Sequence, residues 1–327
     1  MHSLAGWFPA IRERTRSNYS AGKPSKILEN GRGTETRTLD LRFWRPTLYQ
    51  LSYAPAAATR LGQSGSFAQA PIDVIKMACA ANAWHRGDVM HAPRPQSSSA
   101  TIPADLLLLA YRNGIFPMAD SRKDQEIFWV EPRERATIPI GGFRMSRSLA
   151  RTIRQDRFSV TCDRAFDEVV EGCAEPRPDH PESWISQRIA ASYAALHKAG
   201  HAHSIECWDG NNLVGGVYGV SFDKVFCGES MFSRRRDASK VALAWLLALL
   251  ERAGCELFDC QFMTDHLASL GAVAMSQSDY LARVAAASGP QPLSLPEAYA
   301  SLSEEVSLAG ADGSPGKRIA HSLTQTS

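Results

Sequence analysis

Residues 203–260 leave few folds open. Three runs rich in apolar residues, 203–208, 213–222 and 224–227, are separated by tight turns, of which Asp209-Gly210-Asn211-Asn212 is the clearest. An apolar helix over residues 238–252 follows, with Asp237 placed to cap it and Gly254 to end it, and then a short buried strand over 256–260. Strands, a helix and a returning strand predict an α+β fold. A helix over 186–198, closed by Gly200, opens this lobe. In front of it, a helix over 106–113 closed by Gly114, a buried turn at 115–118, a strand at 127–130 and a helix over 146–154 predict a smaller lobe. The expected organisation is a head over 1–101, a small N-terminal lobe over 102–180, the main lobe over 181–287 and a tail over 288–327. Ser, Ala, Gly and Pro dominate that tail, which is expected to be mobile.

Within the main lobe, Gly228-Glu229-Ser230-Met231-Phe232-Ser233 and Asp259-Cys260-Gln261 place two carboxylates and an amide among apolar residues. Two residues apart on a strand, Asp259 and Gln261 share a face. Desolvation by Leu257, Phe258 and Phe262 would raise the pKa of Asp259 and make it a better base toward an amine, with Gln261 as a relay that both donates and accepts. The competing role is structural: Asp259 capping a strand end or pairing with an arginine, which the residues alone favour. Glu229 is equally readable as a receptor for a cation or as a structural ion-pair partner. Ser230 and Ser233 have no evident triad partners. His197, His201 and His203 sit at a helix end and a strand start and make a poor ligand set. Seven cysteines without a Cys-x-x-Cys pair argue against a zinc site or a disulfide framework. Neither a metal nor a cofactor is expected.

These blocks stand in register with others: Gly114-Ile115-Phe116-Pro117-Met118, Ser146-Arg147-Ser148-Leu149, Ser183-Trp184-Ile185, Ala202-His203-Ser204-Ile205-Glu206, residues 213–220, Ala238-Ser239-Lys240 and residues 267–272. Together they closely resemble the leucyl/phenylalanyl-tRNA-protein transferases, which add leucine or phenylalanine to protein N-termini. The resemblance implies an acyltransferase-like main lobe, similar to the N-acetyltransferases. It implies aminoacyl-tRNA and acceptor proteins with N-terminal Arg or Lys as partners, and a link to N-degron proteolysis. It also places catalysis at Asp259 and Gln261 and gives Glu229 the cationic side chain of the acceptor. Val217, Phe226, Met231, Leu243, Leu246 and Phe258 would build the pocket for the leucyl or phenylalanyl side chain, although each serves equally as core. Such a pocket separates apolar side chains by size only modestly, so methionine is expected to leak through. Trp184 matches a tryptophan that packs on the terminal adenosine of the tRNA. Of a tryptophan pair common in relatives, this chain keeps only Trp129. Catalysis by the protein's own groups and catalysis assisted by the substrate both stay open.

Aminolysis of an aminoacyl ester is downhill, so the demands are positioning, removal of a proton from the amine and shelter for an oxyanion. An acyl-CoA-dependent N-acyltransferase is a weaker reading, because no glycine-rich loop precedes the helix at Ala238. A noncatalytic tRNA-binding module is the reading from another class. Arg144, Arg147, Arg151 and Arg154 recur at helical spacing and would form one stripe able to track phosphates. Charge supports a local patch: residues 1–100 hold 13 Lys and Arg against 6 Asp and Glu, or +7, leaving 23 against 28, or −5, for the rest. No apolar run is long enough to span a bilayer or to read as a secretory signal, so a cytoplasmic monomer without membrane contact is expected.

The head shows no sustained period and reads as disordered. Its segment Thr47-Leu48-Tyr49-Gln50-Leu51-Ser52-Tyr53 back-translates to ACGCTCTACCAACTGAGCTAT, whose reverse complement resembles the D-arm of a bacterial tRNA gene. The reading frame is therefore expected to cross a neighbouring tRNA gene, with initiation at Met77 or Met90. A basic RNA-binding arm is the alternative. Mass spectrometry of the native N-terminus separates the two, since peptides from before Met77 would overturn the first.

Overall fold

The computed structural model describes residues 101–176, 182–310 and 313–325. The head and its two candidate starts, Met77 and Met90, lie outside the described residues.

Helix α1 (Ala104–Arg112) follows Pro103 and is closed at Gly114, whose φ of 70° suits a residue without a Cβ. The expected buried turn is instead a short strand, β1 (Phe116–Met118), paired antiparallel to β2 (Phe128–Val130). Pro117 sits in this two-stranded ribbon, where two edges are open and a missing N–H is tolerated.

A seven-stranded sheet carries the rest. Its members are β3 (Glu134–Ile138), β4 (Ser159–Cys162), β5 (Ala202–Asp209), β6 (Asn212–Phe222), β7 (Val225–Ser233), β8 (Leu257–Asp259) and β9 (Val273–Ser276), in the order β4-β5-β6-β7-β8-β3-β9. Every neighbouring pair is antiparallel except β7 and β8. Parallel neighbours need a crossover, and helix α5 (Ala238–Arg252) supplies it. The earlier helices are α2 (Arg147–Arg154), α3 (Phe166–Ala174) and α4 (Gln187–Lys198). Ser146 and Ser186 cap α2 and α4 through their hydroxyls. Because β3 and β4 belong to the large sheet, the expected lobe boundary at 180 does not divide the strands.

Helix α5 is buried from Ala238 almost without interruption to Leu250. It is apolar all round because it is covered all round. A Cβ built on Gly215 of β6 would stand 2.6 Å from that of Ala238, so the glycine sets how close the helix comes to the sheet. Asp237, expected to cap α5, lies at φ 68° and its side chain caps nothing; the Ser239 N–H instead donates to Ser233 Oγ at 3.2 Å.

Beyond β8 come α6 (Asp265–Ser269), α7 (Gln277–Ala286), α8 (Leu295–Leu308) and α9 (Pro315–Gln325). The last two correct the expectation of a mobile tail. Leu295, Ala298 and Leu302 of α8 and Ile319, Ala320 and Leu323 of α9 are buried in the same cluster as α5. Arg252 at the end of α5 holds the Glu305 carboxylate with both terminal nitrogens, at 2.6 and 2.9 Å. Asp156, after α2, accepts from Ser314 Oγ and from the Gly316 N–H at 2.5 and 2.7 Å. The composition misled because alanine and serine suit close helix packing as well as disorder. Ser294-Leu295-Pro296-Glu297 is a full capping box with proline in the first turn. Among the described residues no helix is long and apolar enough to cross a membrane.

Candidate active site

Glu229 owes its position to a bulge. Along β6 and β7, Tyr218 faces Ser230 and Gly219 faces Gly228, so Glu229 has no partner across the ladder. Bulges re-aim a side chain in this way. The bulge requires Gly219, where a Cβ would lie 2.2 Å from the Cys227 carbonyl oxygen.

The Glu229 side chain is fully buried. Its Oε1 accepts from the Tyr111 hydroxyl of α1 and from Gln261 Nε2, both at 2.9 Å, and its Oε2 accepts from the Tyr193 hydroxyl of α4 at 2.9 Å. The two tyrosine oxygens are themselves 2.8 Å apart. Burial pushes the Glu229 carboxyl up to about 7, even though the tyrosine hydrogen bonds pull the other way. Burial and the neighbouring Glu229 charge hold both tyrosines well above the usual phenol range, so both stay protonated donors.

Asp259 ends β8, also fully buried, and is paired with Arg135 of β3. The arginine pairing weighed from sequence is therefore what the fold contains, and a lone desolvated base is not. The expected shared strand face of Asp259 and Gln261 is not found, because β8 stops at Asp259 and Gln261 turns into a left-handed conformation at φ 58°. The two meet differently: the Gln261 N–H donates to Asp259 Oδ1 at 2.9 Å. Gln261 Oε1 is buried without a protein partner. Sequence reasoning missed Tyr111, Tyr193, Arg135 and Tyr280. Tyr111 stands three residues before Gly114, but nothing local shows that it meets a strand 118 residues away.

The six residues expected to build the side-chain pocket do gather in one cluster: Val217, Phe226, Met231, Leu243, Leu246 and Phe258, each at most 6% exposed. Val217 faces Met231 across β6 and β7, and Phe226 stacks on Phe258 at 6.1 Å. Trp184 is half-buried in the approach to α4. Trp129 is 1% exposed, and its Nε1 has no hydrogen-bond partner, so its ring offers no face to a base in this conformation. Arg144, Arg147, Arg151 and Arg154 are all exposed, and no ion pair joins any of them to a carboxylate among the described residues. His203 lies 2.7 Å from Asp163, and His197 stacks on Phe166 with Nδ1 2.8 Å from the Ala202 carbonyl.

Comparison with known proteins bears on this arrangement directly. Residues 137–285 match the family model of the leucyl/phenylalanyl-tRNA protein transferase, and residues 100–133 match that of its N-terminal domain. The N-terminal match ends just before β3 and the longer one begins within it. A leucyl/phenylalanyl-tRNA-protein transferase of Novosphingobium aromaticivorans is 53% identical over 258 residues, which cover 69% of this chain and 97% of that protein. One of Rhizorhabdus wittichii is 58% identical over 188 residues (58% and 76%), and one of Zymomonas mobilis 56% identical over 186 (57% and 69%). Glu229, Asp259, Gln261 and the pocket cluster all fall inside the matched segment, and with identity at this level the chain belongs to the leucyl/phenylalanyl-tRNA-protein transferase family.

Proposed function

We propose that this protein moves leucine or phenylalanine from aminoacyl-tRNA to the α-amino group of acceptor proteins, with N-terminal Arg or Lys as the acceptor residue. Feeding N-degron proteolysis in the cytoplasm is part of the reading. The single observation that carries the chemistry is Glu229, a carboxylate poised near neutrality and hydrogen-bonded to Gln261. The acceptor amine, once it has lost a proton, attacks the ester carbonyl. A C–N bond forms, the bond to the ribose oxygen breaks, and that oxygen leaves with a proton. Gln261 Oε1 is an acceptor for an N–H of the incoming amine, and its Nε2 already contacts Glu229, so Gln261 orients the amine while Glu229 takes its proton. This role suits Glu229 better than receiving a guanidinium, since three donors already occupy its two oxygens and leave one acceptor site of about four, enough for a proton but not for a two-pronged fork.

Leu243 and Leu246 of α5 and Val217, Phe226, Met231 and Phe258 of the sheet form an apolar wall for the transferred side chain. The acyltransferase-like character of the large lobe is supported by its one parallel pair, β7 and β8, spanned by α5 in a largely antiparallel sheet. The arginine stripe is read as the track for acceptor-stem phosphates. Arg147 stands at the first position of α2, where a positive charge opposes the helix dipole, so helix stability does not explain it. Replacing Arg147, Arg151 and Arg154 together by Ala should raise KM for aminoacyl-tRNA about 10- to 100-fold with kcat unchanged, and flatten the salt dependence of binding by about 2–3 in log–log slope. An unchanged salt slope removes the stripe from the tRNA path.

The deciding assay mixes the protein with radiolabelled phenylalanyl-tRNA and a peptide bearing N-terminal Arg, beside Asp259→Asn and ribonuclease-treated controls. Label is expected in the peptide only with intact tRNA and wild-type protein. Tight tRNA binding without transfer would leave a binding module instead.

A further inference from the structure

Arg135 is the largest buried charged group that the proposed chemistry does not use. Its side chain is 1% exposed. Its guanidinium lies over the Tyr280 ring at 4.2 Å and the Phe116 ring at 5.3 Å, donates to the Gly114 carbonyl at 3.2 Å and pairs with Asp259. Its Nε has no partner at all. Burying a cation with one N–H unsatisfied costs stability, and apolar residues often fill such a site as well or better. The arrangement is explained by what lies beyond Asp259.

That carboxylate has two ends. Oδ2 is held by Arg135 and by the Tyr280 hydroxyl at 3.3 Å, and Oδ1 accepts the Gln261 N–H. Gln261 occupies left-handed backbone space, which is strained for a non-glycine residue and persists only when the surroundings impose it. The residue after Arg135 adds a second hold, since the Ala136 N–H donates to the Gln261 carbonyl at 3.2 Å. In this conformation the Gln261 amide reaches Glu229 Oε1 at 2.9 Å.

We infer that Arg135 is a positioning residue for the transfer reaction, fixing Asp259 as an ion-paired strut that holds Gln261 against Glu229. An arginine is suited to this because it stays charged when buried and its planar fork fits between two rings. The inference rests on the transfer activity proposed above. Four variants test it: Arg135→Gln, Arg135→Lys, Asp259→Asn and the double variant R135Q/D259N. Arg135→Gln should cut kcat about 100-fold, the cost of misplacing a reacting group by about an ångström, with KM for phenylalanyl-tRNA within about twofold. Arg135→Lys should recover about tenfold of that loss, keeping the charge without the fork. The double variant should be no slower than the slower single, because both changes cut one strut. It also leaves no uncompensated buried charge, so it keeps the test open if Arg135→Gln does not fold. Losses that multiply, a rise in KM at constant kcat, or a double variant with wild-type kcat overturns the inference. An activity-free readout separates it from the function itself. With glutamine labelled by ¹⁵N, the Gln261 side-chain amide should exchange slowly with solvent in the wild type and fast in Arg135→Gln. Equal exchange overturns the strut even if no transfer is seen, and slow exchange lost in the variant upholds it.

Discussion

Glu229→Gln should lower kcat for transfer by about 10³-fold, in the range for removing a positioned proton acceptor, while leaving KM for aminoacyl-tRNA nearly unchanged. The same substitution should make the fold more stable above neutral pH. With its folded pKa raised to about 7, Glu229 holds a proton in the native state that the unfolded chain has already released. The native state therefore binds more protons between the ordinary carboxylate pKa and pH 7, and stability falls as pH rises through that window. Above about pH 7 the native carboxylate is ionised and the full penalty persists, on the order of 3 kcal/mol. Gln keeps one oxygen for the Tyr111 and Gln261 donors, its NH2 can donate to a Tyr193 hydroxyl turned toward Tyr111, and it cannot ionise, so it escapes that penalty. Two measurements check this. In the wild type, kcat/KM should rise with pH to a plateau reached above about 7, and the residual activity of Glu229→Gln should lack that limb. Denaturation at pH 8 should show the variant at least as stable as the wild type. A variant within tenfold of wild-type kcat, or one that keeps the acidic limb, removes Glu229 from the proton path.

The site was legible where the chemistry lay in one stretch and illegible where it depended on distant elements. The turn at 209–212 and the helix over 238–252 follow from local signals and appear as β5, β6 and α5 with ends at or within a residue of those expected. Glu229, Asp259 and Gln261 were legible because polar groups among apolar residues stand out. Their roles were not, because each is set by a partner at long range. Asp259 meets Arg135 across 124 residues and Glu229 meets Tyr111 across 118. No local pattern marks the charge that a buried carboxylate will meet. The bulge at Glu229 was hidden for a related reason, since it exists only in the register between β6 and β7. Strands β3, β4 and β9 are short, and β9 is largely exposed, so none carries the alternation that identifies a strand alone.

The C-terminal helices should prove to be structural, and Leu302→Ala should cost about 2–5 kcal/mol, the usual range for emptying a leucine site in a packed core. Leu302 is 4% exposed and lies in the cluster with α5, the helix that spans β7 and β8 and so fixes the strands bearing Glu229 and Asp259. Arg252 links the end of α5 to Glu305 one turn below Leu302, and Arg318 of α9 reaches the same carboxylate at 3.3 Å. Loss of α8 would therefore open one whole side of α5, where Trp245 also packs against Tyr299 at 6.4 Å. Removing residues 288–327 altogether should leave a protein that aggregates or melts at a much lower temperature, because an apolar helix would lose its cover. Urea denaturation followed by far-ultraviolet circular dichroism measures the first effect, and soluble yield with thermal melting measures the second. A mobile tail would show neither: Leu302→Ala would then fall within about 0.5 kcal/mol of the wild type, as exposed substitutions do. If the truncated chain melts normally yet loses transfer, α8 and α9 serve the substrate rather than the core.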